Sequence, residues 1–373
     1  VEDPDEAAVA AHGGWPALLG AVAEGRHLSG DAAAAAMADV LAGRATPAQL
    51  AGLIVGLRAK GETVEELTGM VRAMLAAALP LHLPPGAVDL VGTGGSAHRR
   101  RHALNVSTMA CFVVAGAGAV VCKHGNRRAS STSGSFDLLE ALGVPIELSP
   151  AEVEACVAEV GLGFAFARTF HPAMRHAGPV RAELGIPTVF NVLGPLAHPG
   201  RVTRQVVGTS DPDLARTMAA VLAALGSERA LVVVGDQGID ELTTTGPATV
   251  VEVVEGHVAA PTVVDPAELG LPRVTLGDLA GGDAAANAAI ARRVLAGEGG
   301  PHRDVVVLNA AAGLVVAGLA PDLAAGVERA AGAIDDGSAA AVLARLVART
   351  AARAQPDGPL SGPGSGAGAG PGA

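Results

Sequence analysis

Apolar and polar positions divide the chain into a helical N-terminal part and an alternating remainder. From Trp15 to about Leu81 the pattern reads as four helical segments with no strand. Three of them carry their own start signals. Ser29-Gly30-Asp31 precedes an Ala-rich run, and Thr46 stands before Pro47 in a first turn. Thr63 is followed by Glu65 and Glu66, where the helix dipole favours anions.

At Val88-Asp89-Leu90-Val91 the pattern changes to a short apolar run ending in Gly92-Thr93-Gly94-Gly95, a buried strand feeding a glycine turn. Further strands are expected at 119–122, 163–167, 205–208, 230–235, 249–254 and 305–308. Helices are expected between them at 107–115, 137–142, 150–160, 211–225 and 283–295. This alternation predicts an α/β fold with a mainly parallel central sheet covered by helices on both faces. The expected division is an N-terminal extension at 1–14, a helical domain at 15–82 and an α/β domain at 83–356, with part of 168–200 a candidate addition to the helical domain. The Gly, Pro, Ala and Ser of 357–373 read as a disordered tail.

Composition narrows the function. Of 373 residues 50% are hydrophobic and 17% charged, which excludes wholesale disorder. Aromatics are 2%, with Trp15 alone and no Tyr, so a base-stacking platform is excluded. Twenty-six basic against 37 acidic residues give a net charge of -11, a field that repels nucleic acid. An anionic small ligand therefore needs dedicated local donors or a metal. The longest apolar stretch, Ala103 to Val121, is broken by Asn105, Ser107, Thr108 and several Gly, so no transmembrane helix is expected. The N-terminus opens acidic, with Glu2, Asp3, Asp5 and Glu6, and lacks the basic region of a secretory signal, so a cytoplasmic location is the expectation. Cys111, Cys122 and Cys156 are odd in number and lack Cys-x-x-Cys spacing. They fit neither a disulfide framework nor a zinc site and read as small buried hydrophobes.

Four clusters could carry chemistry. The first joins the glycine turn at Gly92 to Asn105-Val106-Ser107-Thr108, where a helix should start. Its backbone N–H groups and helix dipole suit phosphate, although a Gly-x-Gly-Gly turn alone is usually an ordinary tight turn. The second, Lys123-His124-Gly125-Asn126-Arg127-Arg128-Ala129-Ser130-Ser131 and on to Ser135, crowds cations and hydroxyls at one strand end and reads as a phosphate or pyrophosphate cradle. In the third, Asp236 to Glu241, carboxylates at a strand end can hold Mg²⁺ through oxygen ligands, and an ordinary acidic loop would look the same. The fourth runs from Phe170-His171-Pro172 through Arg181 to Phe190-Asn191. Arg181 offers a planar fork for a carboxylate, and a plain surface helix is the alternative. A Gly-x-Ser-x-Gly elbow, a complete Gly-x-Gly-x-x-Gly fingerprint and a Walker lysine are absent. His98 and His102 flank Arg99-Arg100-Arg101, whose charge would repel a metal.

The order Gly-Thr-Gly-Gly, Asn-x-Ser-Thr, Lys-His-Gly-Asn-Arg, Ser-x-Ser-Gly-Ser, His-Pro-Ala-Met, Val-Arg-x-Glu-Leu-Gly, Phe-Asn-x-Leu-Gly-Pro and Asp-Glu-Leu resembles the anthranilate phosphoribosyltransferase family from about Trp15 to Leu346. The resemblance implies a nucleoside phosphorylase/phosphoribosyltransferase-like fold, a homodimer formed through the helical domain, and an active site in the cleft between domains. It implies transfer of phosphoribosyl from 5-phosphoribosyl diphosphate to the amine of anthranilate, with release of pyrophosphate, on the way to tryptophan. By matching motif, Gly92, Gly95, Ser96, Asn105, Val106, Ser107, Thr108, Lys123, His124, Gly125, Asn126, Arg127, Arg128, Ala129, Ser130, Ser131 and Ser135 would hold the diphosphate substrate. Gly92, Asn126 and Arg181 would meet anthranilate. Ser107, Asp240 and Glu241 would bind Mg²⁺, and Lys123, Asp240 and Glu241 would carry the catalytic charge.

One segment departs from the family. Ser96 stands where an aspartate is usual, Ala103 where a threonine is usual, and the stretch to Leu104 is about three residues longer and carries His-Arg-Arg-Arg-His. This allows Arg99 to Arg101 to take part of the metal's role. It also opens two other readings: a paralog that phosphoribosylates a different acceptor, and a catalytically inactive relative.

Overall fold

The structure is a computed structural model that describes residues 6–94, 104–127 and 133–351. The loop calls at Gly95, Ser96, Arg99–Arg101, Arg128, Ala129, Ser130 and Ser131, and the call on the 357–373 tail, lie outside the described residues.

A short α1 (Glu6–Ala10) precedes α2 (Gly14–Ala23), α3 (Gly30–Leu41), α4 (Pro47–Lys60) and α5 (Val64–Ala76). The start signals act as the sequence suggests. Ser29 Oγ accepts the Ala32 N–H, and Thr46 with Gln49 and Thr63 with Glu66 form reciprocal capping boxes. Glu66 does more than cap. Fully buried, it pairs with Lys60 at 2.7 Å and accepts the Leu28 N–H at 2.7 Å, tying the start of α5 to the end of α4 and to the segment before α3. Burial alone would raise its carboxyl, but Lys60 and the backbone donors outweigh it and hold it below the usual range.

The α/β part runs β1 (Val88–Gly92), α6 (Val106–Gly116), β2 (Val121–Gly125), α7 (Ser135–Leu142), α8 (Pro150–Val160) and β3 (Leu162–Phe166). Next come α9 (Ala167–Phe170), a 3₁₀ turn (Pro172–His176), α10 (Gly178–Leu184) and α11 (Val189–Leu196). The sheet resumes with β4 (Arg204–Gly208), α12 (Pro212–Ala224), β5 (Arg229–Val234), β6 (Ala248–Val254), β7 (His257–Val258) and β8 (Thr262–Val264). The chain closes with α13 (Ala284–Leu295), α14 (Pro301–Val316), α15 (Leu323–Asp335) and α16 (Ser338–Ala351).

Strand order is β3-β2-β1-β4-β5-β6-β7, with β8 also on β6. From β3 to β5 every pair is parallel, and β6 to β8 add an antiparallel edge. Side chains alternate across this sheet. Val206, Leu231, Val233 and Val250 join the core under α6, α14 and α16. Val207, Val232, Val234, Val251 and Val253 face the other way into a core shared with α12 and the helical domain. The 3₁₀ turn, α10 and α11 also pack against α3, α4 and α5, so the segment after β3 bridges the two parts.

The expected strand at 305–308 is a correction: Val305 to Leu308 lie inside α14, a 16-residue helix. Three β-branched residues and a leucine in a row resemble a buried strand. Here Pro301 opens a helix whose residues are buried from Val305 to Val316, so no polar face marks its period.

Candidate active site

In the parallel part the chain proceeds outward from β1 to β3 on one side and from β4 to β5 on the other, so the order reverses between β1 and β4. Open α/β sheets bind ligands in the crevice outside the carboxyl ends at such a point. Gly92 ends β1, Gly125 ends β2, Gly208 ends β4, and Val234 leads into the loop that carries Asp240 and Glu241. The first three sequence clusters thus meet along one edge of the sheet.

Contact between them is direct. Asp240 Oδ2 accepts the Gly94 N–H at 2.8 Å. A Cβ on Gly92 would lie 2.7 Å from that oxygen, and one on Gly208 would lie 1.8 Å from the Asp240 carbonyl oxygen. The acidic loop therefore folds onto the ends of β1 and β4 because both end in glycine. Asp240 and Glu241 are both buried. Asp236 turns elsewhere, accepting from Gln237 Nε2 at 3.1 Å and Thr245 Oγ1 at 3.3 Å.

Beside them α6 opens with Val106, half-buried Ser107 and buried Thr108, whose Oγ1 has no partner among the described residues. Asn105 precedes it without capping it by side chain. Its amide instead spans three segments: Nδ2 donates to the Ser133 carbonyl at 3.2 Å, while Oδ1 accepts from Ser133 Oγ at 3.2 Å and from Asn287 Nδ2 at 2.9 Å. Asn287 on α13 in turn accepts the Gly282 N–H at 2.8 Å. Sequence reasoning passed over Asn287; the available signal was an amide among the alanines of a helix, where only a partner compensates burial.

Lys123 is buried on β2 and donates from Nζ to the Leu90 carbonyl. Near it lies Asp89, whose Oδ1 accepts the His124 N–H at 3.1 Å and whose Oδ2 has no hydrogen-bond partner among the described residues. Burial pushes the Asp89 carboxyl up to about 7, against the pull of Lys123 and the His124 N–H. Gly125 packs close to Phe136, and exposed Asn126 accepts the Arg127 N–H through Oδ1 at 2.8 Å. Arg127 faces α7, with Asp137 at 3.3 Å and Glu140 at 2.9 Å. Ser135 is the first residue of α7.

The His124 ring lies tilted 5.2 Å from His171 and edge-on 5.8 Å from His198. His171 Nε2 meets the Ala197 carbonyl and His198 Nε2 the Cys122 carbonyl, both at 2.9 Å, while His198 Nδ1 accepts the Gly200 N–H. Carbonyls only accept, so both Nε2 atoms carry the hydrogen. Burial brings His171 and His198 down to about 4. The same burial, with the two neighbouring rings, holds His124 well below its usual value. These neutral rings join β2 to the segment carrying Arg181. There Arg181, half-buried on α10, lies over the Phe190 ring at 5.0 Å. Burial lowers its guanidinium from the usual value, and no carboxylate offsets that among the described residues.

Hard oxygen donors are the ligands Mg²⁺ prefers, and it commonly takes one or two carboxylates and completes its shell with substrate phosphates and water. Asp240, Glu241 and the Ser107 hydroxyl fit that partial set. No group of three or more His, Cys, Asp or Glu able to hold a metal occurs among the described residues.

Two family models match the chain in succession: the glycosyl transferase family helical bundle domain over 16–78 and the glycosyl transferase family a/b domain over 84–340. The anthranilate phosphoribosyltransferase of Salinispora arenicola is 51% identical over 342 residues, covering 89% of this chain and 96% of that protein. Among solved structures, the Thermus thermophilus anthranilate phosphoribosyltransferase aligns with a TM-score of 0.84 at 44% identity, over 90% of this chain and 99% of that one. The Saccharomyces cerevisiae enzyme, solved with 5-phosphoribosyl diphosphate and Mg, aligns at 0.77 and 28% identity over 87% and 92% of the two chains. It has also been solved with 4-fluoroanthranilate, at 0.80 and 26% identity over 91% and 99%. Three motif clusters gathered at the sheet's reversal point, two family models in order and 51% identity to a relative covered over 96% of its length lead to one conclusion: this chain belongs to the anthranilate phosphoribosyltransferase family.

Proposed function

We propose that the chain transfers the phosphoribosyl group of 5-phosphoribosyl diphosphate to the amine of anthranilate. The bond from ribose C1 to the pyrophosphate oxygen breaks, C1–N forms, and the nitrogen loses a proton. The observation that carries the choice of acceptor is Arg181: a half-buried guanidinium stacked on Phe190 with no carboxylate partner among the described residues. A desolvated, preoriented fork of this kind recognises a planar carboxylate such as that of anthranilate.

The rest of the site suits departure of pyrophosphate. As it leaves, positive charge develops on the sugar and negative charge on the leaving group, so neutralising fixed charge matters more than a strong base. The Gly92–Gly94 turn and the N-terminus of α6 with Ser107 and Thr108 offer N–H and hydroxyl donors, and Lys123 supplies positive charge beneath the crevice. Asp240, Glu241 and Ser107 would hold Mg²⁺, which when bound neutralises diphosphate charge. Asn126 at the end of β2 and Arg181 would orient anthranilate, whose uncharged aromatic amine needs positioning more than activation. Of the remaining binding residues, Gly95, Ser96, Asn105, Val106, His124, Gly125, Arg127, Arg128, Ala129, Ser130, Ser131 and Ser135 complete the diphosphate cradle by motif.

The test follows the loss of anthranilate fluorescence with 5-phosphoribosyl diphosphate and Mg²⁺, for wild type and Arg181→Ala. Rapid loss that the variant abolishes is expected. Pyrophosphate release that appears only with another acceptor overturns the choice of substrate. A homodimer in the cytoplasm is part of the same proposal. Sedimentation velocity checks the oligomeric state.

A further inference from the structure

We propose that Asn309, which no sequence motif singled out, is a positioning residue for the acidic pair, holding Glu241 in place by clamping the backbone one residue beyond it. The inference rests on the reading of Asp240 and Glu241 as the Mg²⁺ carboxylates.

Asn309 lies in the middle of α14, buried among alanines, valines and leucines. An amide there is costly unless its hydrogen-bonding groups find partners. Oδ1 accepts the Leu242 N–H at 3.2 Å, and Nδ2 donates to the Leu242 carbonyl and to the Val305 carbonyl, each at 2.8 Å. The side chain pairs with Leu242 as a strand neighbour would, and Leu242 is itself fully buried.

The backbones of both acidic residues lie against glycines, that of Glu241 with its carbonyl oxygen 2.1 Å from where a Cβ on Gly235 would stand. Asp240 is fixed from the sheet, by the Gly94 N–H on its side chain and by close approach of its backbone to Gly208. Glu241 faces a cavity of about 220 Å³ lined also by Ile239, Thr243, Leu276 and Val305. Gly235 packs against the carbonyl of the Glu241–Leu242 peptide and Asn309 binds its N–H, so the clamp at Leu242 helps to set the direction in which the Glu241 side chain projects. Cavity and clamp meet at α14, because Val305 lines the cavity and accepts from Asn309. Asn309→Asp separates geometry from bulk. It keeps the shape and the acceptor for the Leu242 N–H but sets an oxygen against two carbonyls.

The test titrates Mn²⁺ as a paramagnetic probe, by electron paramagnetic resonance with 5-phosphoribosyl diphosphate present. It compares wild type, Asn309→Ala, Asn309→Asp and Val307→Ala, the last being a cavity control on the same helix. Thermal melts are run beside it. The Asn309 variants are expected to weaken Mn²⁺ binding about tenfold and to lower kcat with little change in the anthranilate KM. Val307→Ala is expected to lose stability without moving the Mn²⁺ titration. Mn²⁺ curves of the Asn309 variants that superimpose on wild type, or an equal shift in Val307→Ala, overturn the proposal. Should Asn309→Ala fold poorly, amide exchange in the wild type still decides. A Leu242 N–H as protected as the interior of α14 supports the clamp, and rapid exchange overturns it. A wild type that takes up no Mn²⁺ fails earlier and overturns the metal reading itself.

Discussion

The carboxylate of Asp240 occupies the space that a side chain on Gly92 would need, with Oδ2 lying 2.7 Å from the position of that Cβ. The glycine turn and the acidic loop, 148 positions apart in the numbering, form one structural unit. A change at the turn is therefore felt at the proposed metal site.

Gly92→Ala should push the Asp240 side chain aside without dismantling the fold, since a side-chain end can move. A fall of about tenfold or more in kcat/KM for the diphosphate, corresponding to about 1.4 kcal/mol, is expected with a nearly native melting temperature. Gly208→Ala should behave differently, because its Cβ would lie 1.8 Å from a backbone oxygen that has nowhere to go. That variant should lose stability outright. Equal melting temperatures for the two would contradict the distinction.

Phe190→Leu keeps a buried apolar side chain but removes the ring under Arg181. A partly desolvated cation over a ring is worth about 0.5–2 kcal/mol. The KM for anthranilate should rise about three- to tenfold while that for the diphosphate stays put. Steady-state kinetics with each substrate varied in turn check this, and parallel rises would mean that Arg181 is not the carboxylate fork.

Asn287→Ala leaves Asn105 Oδ1 one donor short and removes the Asn287 Oδ1 acceptor of the Gly282 N–H. Losing a hydrogen bond at a group that keeps another partner costs about 0.5–1.5 kcal/mol. Because Asn105 sits at the start of α6, the KM for the diphosphate should rise more than that for anthranilate. A drop in melting temperature with both KM values unchanged would reduce Asn287 to a purely structural amide.

How much of this was readable in the chain depends on range. The caps at Ser29, Thr46 and Thr63 are local chemistry, and the helices begin where they indicate. Strands ending in glycine, such as Val88–Gly92, were legible because an apolar run and its turn are adjacent. Val305–Leu308 was misread because a fully buried helix shows no period, and Asn309 was lost with it. The antiparallel edge of β7 and β8 also went unseen: two- and three-residue strands carry too little pattern. The partners of Asn105, the buried Lys123 and the contact of Asp240 with Gly94 join residues far apart in the chain. Sequence motifs could name those residues but not their contacts.

The buried histidines make acid stability a test of the region joining the two parts. In the unfolded chain His171 and His198 titrate near 6.5, whereas in the fold burial brings them down to about 4, with His124 also well below its usual value. Between about 6.5 and 4 the unfolded state binds protons that the native state refuses. Stability from these groups is thus complete above 6.5 and is lost as pH falls toward 4, at up to about 1.4 kcal/mol per pH unit for each ring. Asp89 acts in the opposite sense. Its carboxyl is raised to about 7 from an unfolded value of 3.8, so protonation in that range favours the fold. Three rings outweigh one carboxyl, and urea midpoints should fall steadily from pH 6.5 to 4.5. His198→Gln, which can still donate to Cys122 and accept from Gly200, should make the decline shallower by about one proton. A flat wild-type profile, or an unchanged slope in the variant, would show that these rings do not remain neutral in the folded protein.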